Sequence, residues 1–239
     1  MAFKSQVPSV TVTYAQTGRD QRPNELGMRP MQERAYDKRG EQYLLIKSPP
    51  ASGKSRALMF IALDKLQNQG LLQAIVVVPE RSIGSSFNDE PLTMYGFWAD
   101  WMVKTNWNPC NSSGGENGTV SAVGAFLESD DKVLVCTHAT FRFAVEKYGI
   151  EAFDDRLIAV DEFHHVSANP DNKLGAHLGA LIARDKVHVV AMTGSYFRGD
   201  AEAVLSPDDE GKFDTVTYTY YEQLNGYKWL KRLDIGYFF

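Results

Sequence analysis

The stretch that most constrains this chain is Tyr43-Leu44-Leu45-Ile46-Lys47-Ser48-Pro49-Pro50-Ala51-Ser52-Gly53-Lys54-Ser55, an apolar run that passes into a compact loop ending in Gly-Lys-Ser. The run reads as a strand, and Arg56-Ala57-Leu58-Met59-Phe60-Ile61-Ala62-Leu63-Asp64-Lys65-Leu66 reads as a buried helix behind it. A loop at such a junction aims backbone N–H groups and a helix N-terminus into one concavity, which suits phosphate oxygens. Ala51 to Ser55 are the candidate N–H donors, Lys54 the charge for β- and γ-phosphates, and Ser55 the hydroxyl ligand for Mg²⁺. Ser48 stands where the pattern Gly-x-x-x-x-Gly-Lys-[Ser/Thr] has its first Gly. An ordinary capped strand-to-helix turn has the same outline, so the chemistry downstream must decide.

That chemistry lies in Arg156-Leu157-Ile158-Ala159-Val160-Asp161-Glu162-Phe163-His164-His165. An apolar strand here delivers two adjacent carboxylates to its C-terminal end, the edge at which open α/β sheets bind ligands. Asp161 suits Mg²⁺, held through water, and Glu162 suits the polarising of a water that attacks a γ-phosphate. Carboxylates at the end of a core strand are costly without a metal or a donor. His164, taken alone, is a polar loop residue.

Three more apolar runs read as strands of the same parallel sheet: Leu72 to Pro79, Lys132 to Thr137 and Val187 to Met192. Residues 171–184 read as a capped amphipathic helix, and His138 to Tyr148 as the helix leaving the strand at 132–137. Thr193-Gly194-Ser195 ends the last strand, where small hydroxyl residues can bond the acidic motif or simply make a turn. Thr137 and His138 can hold a phosphodiester oxygen, although Thr137 as an N-cap explains its presence equally well. Near the start, Val10 to Tyr14 alternates as an edge strand does, and Gln16 to Glu25 is a polar loop. Pro30 suits the first turn of a helix that carries Gln32, whose amide offers the donor and acceptor that the N6/N7 edge of adenine requires. A solvated helix residue is the plainer reading of Gln32. Phe97 to Met102 reads as an aromatic helical patch with Trp98 and Trp101 one turn apart, and 105–119 as an exposed turn-rich loop.

Composition narrows the function classes. The 239 residues, 44% hydrophobic and 12% aromatic, can build a proper core, and no apolar run is long enough to span a bilayer. The formal net charge of −5 gives no global basic field, so nucleic acid must be met by a local patch. The two cysteines, Cys110 and Cys136, suggest neither a disulfide framework nor a zinc site, and a cytoplasmic home is expected.

In this order the stretches resemble the first RecA-like domain of superfamily 2 DNA/RNA helicases, in the style of DEAH/DExH and restriction-enzyme translocases. The resemblance runs from about Gly27 to Tyr227. It implies an α/β fold with a mostly parallel central sheet and helices on both faces. It assigns adenine contacts to Arg29 and Gln32, and the phosphate loop to Ser48 through Ser55, including Pro50, Ala51, Ser52 and Gly53. The Asp-Glu-x-His motif falls on Asp161, Glu162 and His164, with Lys54, Asp161 and Glu162 catalytic. Coupling to strand movement falls on His164, Thr193 and Ser195, and nucleic-acid contacts on Arg81, Thr137 and His138. Implied ligands are ATP and Mg²⁺, and the implied partner is nucleic acid, DNA ahead of RNA, bound weakly by this chain alone. Pro50, Ala51, Gly194 and Ser195 depart from the family pattern of Thr, Gly, Ala and Thr. The implied division is an N-terminal extension over 1–26, the domain over 27–227, and over 228–239 the start of a linker to a second RecA-like domain. Hydrolysis is expected once that second domain completes the cleft, this chain alone being nearly inactive. A nucleotide-gated binding module or regulatory ATPase subunit is the alternative.

Overall fold

Six runs pair side by side as parallel strands in a computed structural model of the chain, which describes residues 9–12, 23–111, 115–166, 173–194, 207–226 and 233–236. In chain order the elements begin with β1 (Ser9–Val12), α1 (Pro30–Asp37), β2 (Tyr43–Lys47), α2 (Lys54–Asn68), β3 (Ala74–Val78) and α3 (Arg81–Gly84). Next come α4 (Glu116–Leu127), β4 (Val133–Thr137), α5 (His138–Tyr148), β5 (Leu157–Val160), α6 (Lys173–Arg184) and β6 (His188–Thr193). The last elements are α7 (Pro207–Glu210), β7 (Asp214–Thr217), α8 (Tyr220–Gly226) and β8 (Leu233–Gly236).

The main sheet has the order β4-β3-β5-β6-β2-β7 and every pairing in it is parallel. Its inner strands are β-branched and buried on both sides, as helix-covered parallel sheets require. Alternate residues feed two cores. Leu44 and Ile46, Val76 and Val78, and Val190 and Met192 face α1 and α2 through Met31, Ala35, Leu58 and Phe60. Tyr43 and Leu45, Ile75 and Val77, and Ile158 and Val160 face α4, α5 and α6 through Phe126, Phe141, Leu178 and Leu181. The expected parallel α/β architecture with helices on both faces is therefore present. No helix among the described residues is long and apolar enough to cross a membrane.

Several local expectations need correction. Phe97 to Met102 is not helical, because Trp101 pairs with Glu90 in an antiparallel bridge and donates from Nε1 to Phe87 O at 3.0 Å. Trp101 is fully buried while Trp98 is half exposed, so the two are not a shared helical face. The stretch 105–119 is no simple exposed loop: Trp107, Asn108 and Cys110 are buried, and α4 begins at Glu116. The expected edge strand falls in β1 (Ser9–Val12), which pairs antiparallel with β8 in a two-stranded ribbon, while residues 13 and 14 and residues 16–22 of the expected loop lie outside the described residues.

Candidate active site

Parallel pairing puts every strand's C-terminal end on one edge. There β2 runs into the loop 48–53, β5 into Asp161, β6 through Thr193 into Gly194, β3 toward Arg81 and β4 into α5. Register aligns Lys47 with Thr193 and Val160 with Ala191, and Ser48 N donates to Thr193 O at 3.0 Å. Gln32, the loop 48–53, Lys54, Asp161, Glu162, His164, Thr193 and His138 are brought together here, Arg29 and Arg81 stand exposed beside them, and Ser195 lies outside the described residues.

The loop is shaped from within and without. Lys54 is buried, and its ammonium donates to the carbonyls of Ser48 (3.0 Å) and Pro49 (3.3 Å). The hydroxyls of Ser48 and Ser52 bond each other inside the turn. Ala51 holds φ +60, a left-handed conformation that costs about 1–2 kcal/mol for a residue with a Cβ. Gly53, at φ +94, starts α2 with no side-chain cap. Among the described residues the first N–H groups of that helix thus receive no side-chain cap, as an anion site needs. A Cβ at Gly53 would also lie 2.6 Å from Gln32 Nε2.

Gln32 is almost fully buried and is more than a solvated helix residue. Its Nε2 donates to Gly53 O at 3.2 Å and its Oε1 accepts from Arg29 N at 2.8 Å. An amide has capacity for one further bond at each end. Arg29 is exposed at the mouth of α1, and Ser55 lies in the first turn of α2.

Across the loop stand the carboxylates. Asp161 is buried, and burial first, then the charge of Glu162, pushes its pKa up to about 6; the N–H of Glu162, 3.0 Å from Oδ1, and the charge of Lys54 oppose this. Burial pulls the pKa of Lys54 down while Glu162 and Asp161 raise it, so the cation and the two carboxylates share one field. Glu162 sits at φ +48, a second strained backbone position at this edge. His164 Nδ1 lies 3.2 Å from Glu162 Oε2 and 3.1 Å from Thr193 Oγ1, tying the base candidate to the end of β6. Gly194 keeps that corner open, since a Cβ there would lie 3.3 Å from Lys54 Nζ.

At the neighbouring strand ends Thr137 caps α5, its Oγ1 accepting from Thr140 N at 3.1 Å. His138 Nε2 lies 3.0 Å from Asp161 O, so the β4–α5 junction touches the acidic motif directly. Arg81 is exposed and reaches Pro109 O at 3.4 Å. For a divalent cation, Asp161 and Ser55 offer oxygen donors. No group of three or more His, Cys, Asp or Glu able to hold a metal occurs among the described residues. Such a donor set suits Mg²⁺, which keeps waters and takes one or two protein oxygens beside those of a phosphate. One contact was not foreseen: Gln223 of α8 donates from Nε2 to Pro50 O at 3.0 Å. No local pattern around Gln223 signals it, because its partner is 173 residues away.

Comparisons with known proteins bear on the family and the fold. The family described as type III restriction enzyme, res subunit (ResIII) matches residues 25–198. YeeB of Bacillus subtilis (strain 168), provisionally named an ATP-dependent helicase, is 57% identical over 232 residues, covering 96% of this chain and 38% of YeeB. The chain thus spans well under half the length of this relative. The Hef helicase domain of Pyrococcus furiosus superposes with a TM-score of 0.52 at 16% identity, over 83% of this chain and 40% of that one. The DUF1998 helicase MrfA, solved bound to DNA, gives 0.53 at 12% identity, over 90% and 33%. At these identities the two structures speak to the fold alone, and that fold is RecA-like.

Proposed function

We propose, from the premise that this chain belongs to the ResIII family of type III restriction enzyme res subunits, that it is the ATP-binding domain of an ATP-dependent helicase or translocase. The observation that carries the reading is the buried Lys54 facing Asp161 and Glu162, with Glu162 held through His164 to Thr193. Lys54 exchanges its bonds to the loop carbonyls for bonds to the β- and γ-phosphates, and the uncapped start of α2 receives the remaining phosphate charge. Asp161 and Ser55 would hold Mg²⁺, which would neutralise charge on the phosphates. Glu162 orients a water and takes its proton, and His164 keeps that carboxylate aimed. Arg29 and Gln32 take the adenine. Through His164 the state of Glu162 reaches Thr193 and, with Ser195, the strand-moving machinery.

The partners we propose are nucleic acid and a second RecA-like domain. Of DNA and RNA, DNA is the nucleic acid we put first, and Arg81, Thr137 and His138 lie on the edge where a strand would run. Turnover belongs to the longer protein, in which a second domain adds a cation at the γ-phosphate, a contribution of about 10³–10⁵ in rate in related phosphoryl transfers.

The test is ATP turnover by a longer protein containing this chain, with and without DNA or RNA, for wild type and Glu162→Gln. We expect stimulated turnover in the wild type and a fall of about 10²–10⁴ in the variant, with ATP affinity retained. Equal turnover by the two proteins would strip Glu162 of its role.

A further inference from the structure

Three successive carbonyls of the phosphate loop are each gripped by a side-chain donor. Lys54 Nζ holds those of Ser48 and Pro49, and Gln223 Nε2 holds that of Pro50 from outside the loop. Gln223 is only 4% exposed, and its Oε1 is buried without a hydrogen-bond partner among the described residues. An orphaned buried acceptor destabilises a fold, so an amide is a poor choice for packing here. What the amide supplies that an apolar side chain cannot is the N–H to Pro50.

Pro49 and Pro50 carry no N–H, so the loop's donors begin at Ala51. The carbonyl of Pro50 and the N–H of Ala51 belong to one planar trans peptide and point in opposite directions. Fixing the Pro50 oxygen against α8 therefore fixes where the Ala51 N–H points. That N–H has no protein acceptor among the described residues, and Ala51 sits in a strained left-handed conformation that needs support from outside. The support itself is anchored: the adjacent Glu222 pairs with Arg34 of α1 at 2.7 Å, and Arg34 also donates to Thr217 O at 2.7 Å. Adjacent residues of α8 thus bind both walls of the site, the helix bearing Gln32 and the phosphate loop.

We propose that Gln223 is a positioning residue for triphosphate binding, holding the Pro50 carbonyl so that the Ala51 N–H turns into the cradle. The inference rests on the ATP-binding reading above.

The test compares wild type with Gln223→Met, which keeps length and loses the N–H, using Mg²⁺·ATP and Mg²⁺·tripolyphosphate as separate probes in calorimetry. The variant loses one orphaned oxygen but leaves the Pro50 carbonyl without its donor, so its melting temperature should stay close to that of wild type, while both probes bind about 3–10-fold more weakly. Unchanged affinity in the folded variant would overturn the proposal. So would a loss confined to ATP, which would make Gln223 a nucleoside contact, or a loss matched by a fall in melting temperature, which would make it packing. Should Gln223→Met not fold, Gln223→Leu is a second neutral variant without the N–H, and the same twofold readout applies. A wild-type chain that binds neither probe would instead sink the ATP-binding reading, a result distinct from these.

Discussion

Helix α2 carries a buried lysine at each end, and the two ends behave differently. Lys54 and Lys65 are eleven residues apart, close to three full turns, so they lie on one face of the helix. Burial lowers the pKa of both, that of Lys65 to about 8. Lys65 is saturated: its three donors meet Glu41 O at 2.7 Å, Gln69 Oε1 at 3.2 Å and His188 Nδ1 at 2.9 Å. Lys54 uses two donors on loop carbonyls and faces two carboxylates across the site. Burial and a shifted pKa do not separate a functional lysine from a structural one, since both ends have them. Unspent hydrogen-bonding capacity beside opposing charge does. Lys65 seals the foot of the sheet, under the first residues of β2 and β6, and Lys54 is poised at its top.

The contrast breaks if the two lysines respond alike to removal. Lys65→Ala leaves three acceptors orphaned and a hole in the packing, and should cost about 3–5 kcal/mol in urea unfolding. A loss below about 1 kcal/mol would mean that the network is not holding the sheet. Lys54→Ala should do the reverse. Two loop carbonyls lose their donor and two carboxylates their facing cation, but release of a buried charge offsets most of this, so stability should fall by no more than about 1 kcal/mol. The affinity for Mg²⁺·ATP should meanwhile fall by about 10–100-fold in calorimetric titration, as for loss of a charge-assisted contact. Unchanged affinity would remove Lys54 from the site.

The top of α2 was legible in the sequence and its foot was not, for a physical reason. Phosphate chemistry needs Lys54, Ser55 and the loop before them to be contiguous, so the pattern is local, and the apolar runs of β2, β3, β4, β5 and β6 announce a buried sheet. Lys65 and His188 meet across 123 residues, and Gln223 and Pro50 across 173, and no spacing rule spans such distances. β7 went unread because only Val216 of Asp-Thr-Val-Thr is buried, as befits an edge strand. α4 was hidden by its glycines and β-branched residues, which are weak helix formers, although Val120, Val123 and Phe126 give it a buried stripe. Trp98 and Trp101 misled through helical spacing, which a bridge between Trp101 and Glu90 overrides. At the site itself the residue types were legible, and so was a bond from the end of β6 to the acidic motif, but that His164 carries it from Glu162 to Thr193 needed the register of β5 against β6.

The smallest expected effect is a difference in pH response between the two ends. Burial, and then the charge of Lys65, pull the pKa of His188 down to about 4 from the ordinary 6.5. As pH falls through that window the unfolded chain takes up a proton that the folded chain refuses, so His188 makes stability fall by at most about 1.4 kcal/mol per pH unit. Asp161 works in the opposite sense. Its folded pKa of about 6 lies above 3.8, so the folded chain takes up the proton first, and stability rises as pH falls from about 6 toward 3.8. The two slopes offset each other in the wild type and can be exposed one at a time. Asp161→Asn should leave the loss from His188 uncovered, giving a larger drop in urea midpoint between pH 7 and pH 4.5 than in wild type. His188→Gln keeps an acceptor for Lys65 and removes a proton site, so its midpoint should hold or rise over the same interval. If His188→Gln tracked the wild type across both pH values, the foot of α2 would be open to protons, and the distinction between a sealed end and a poised end would fail.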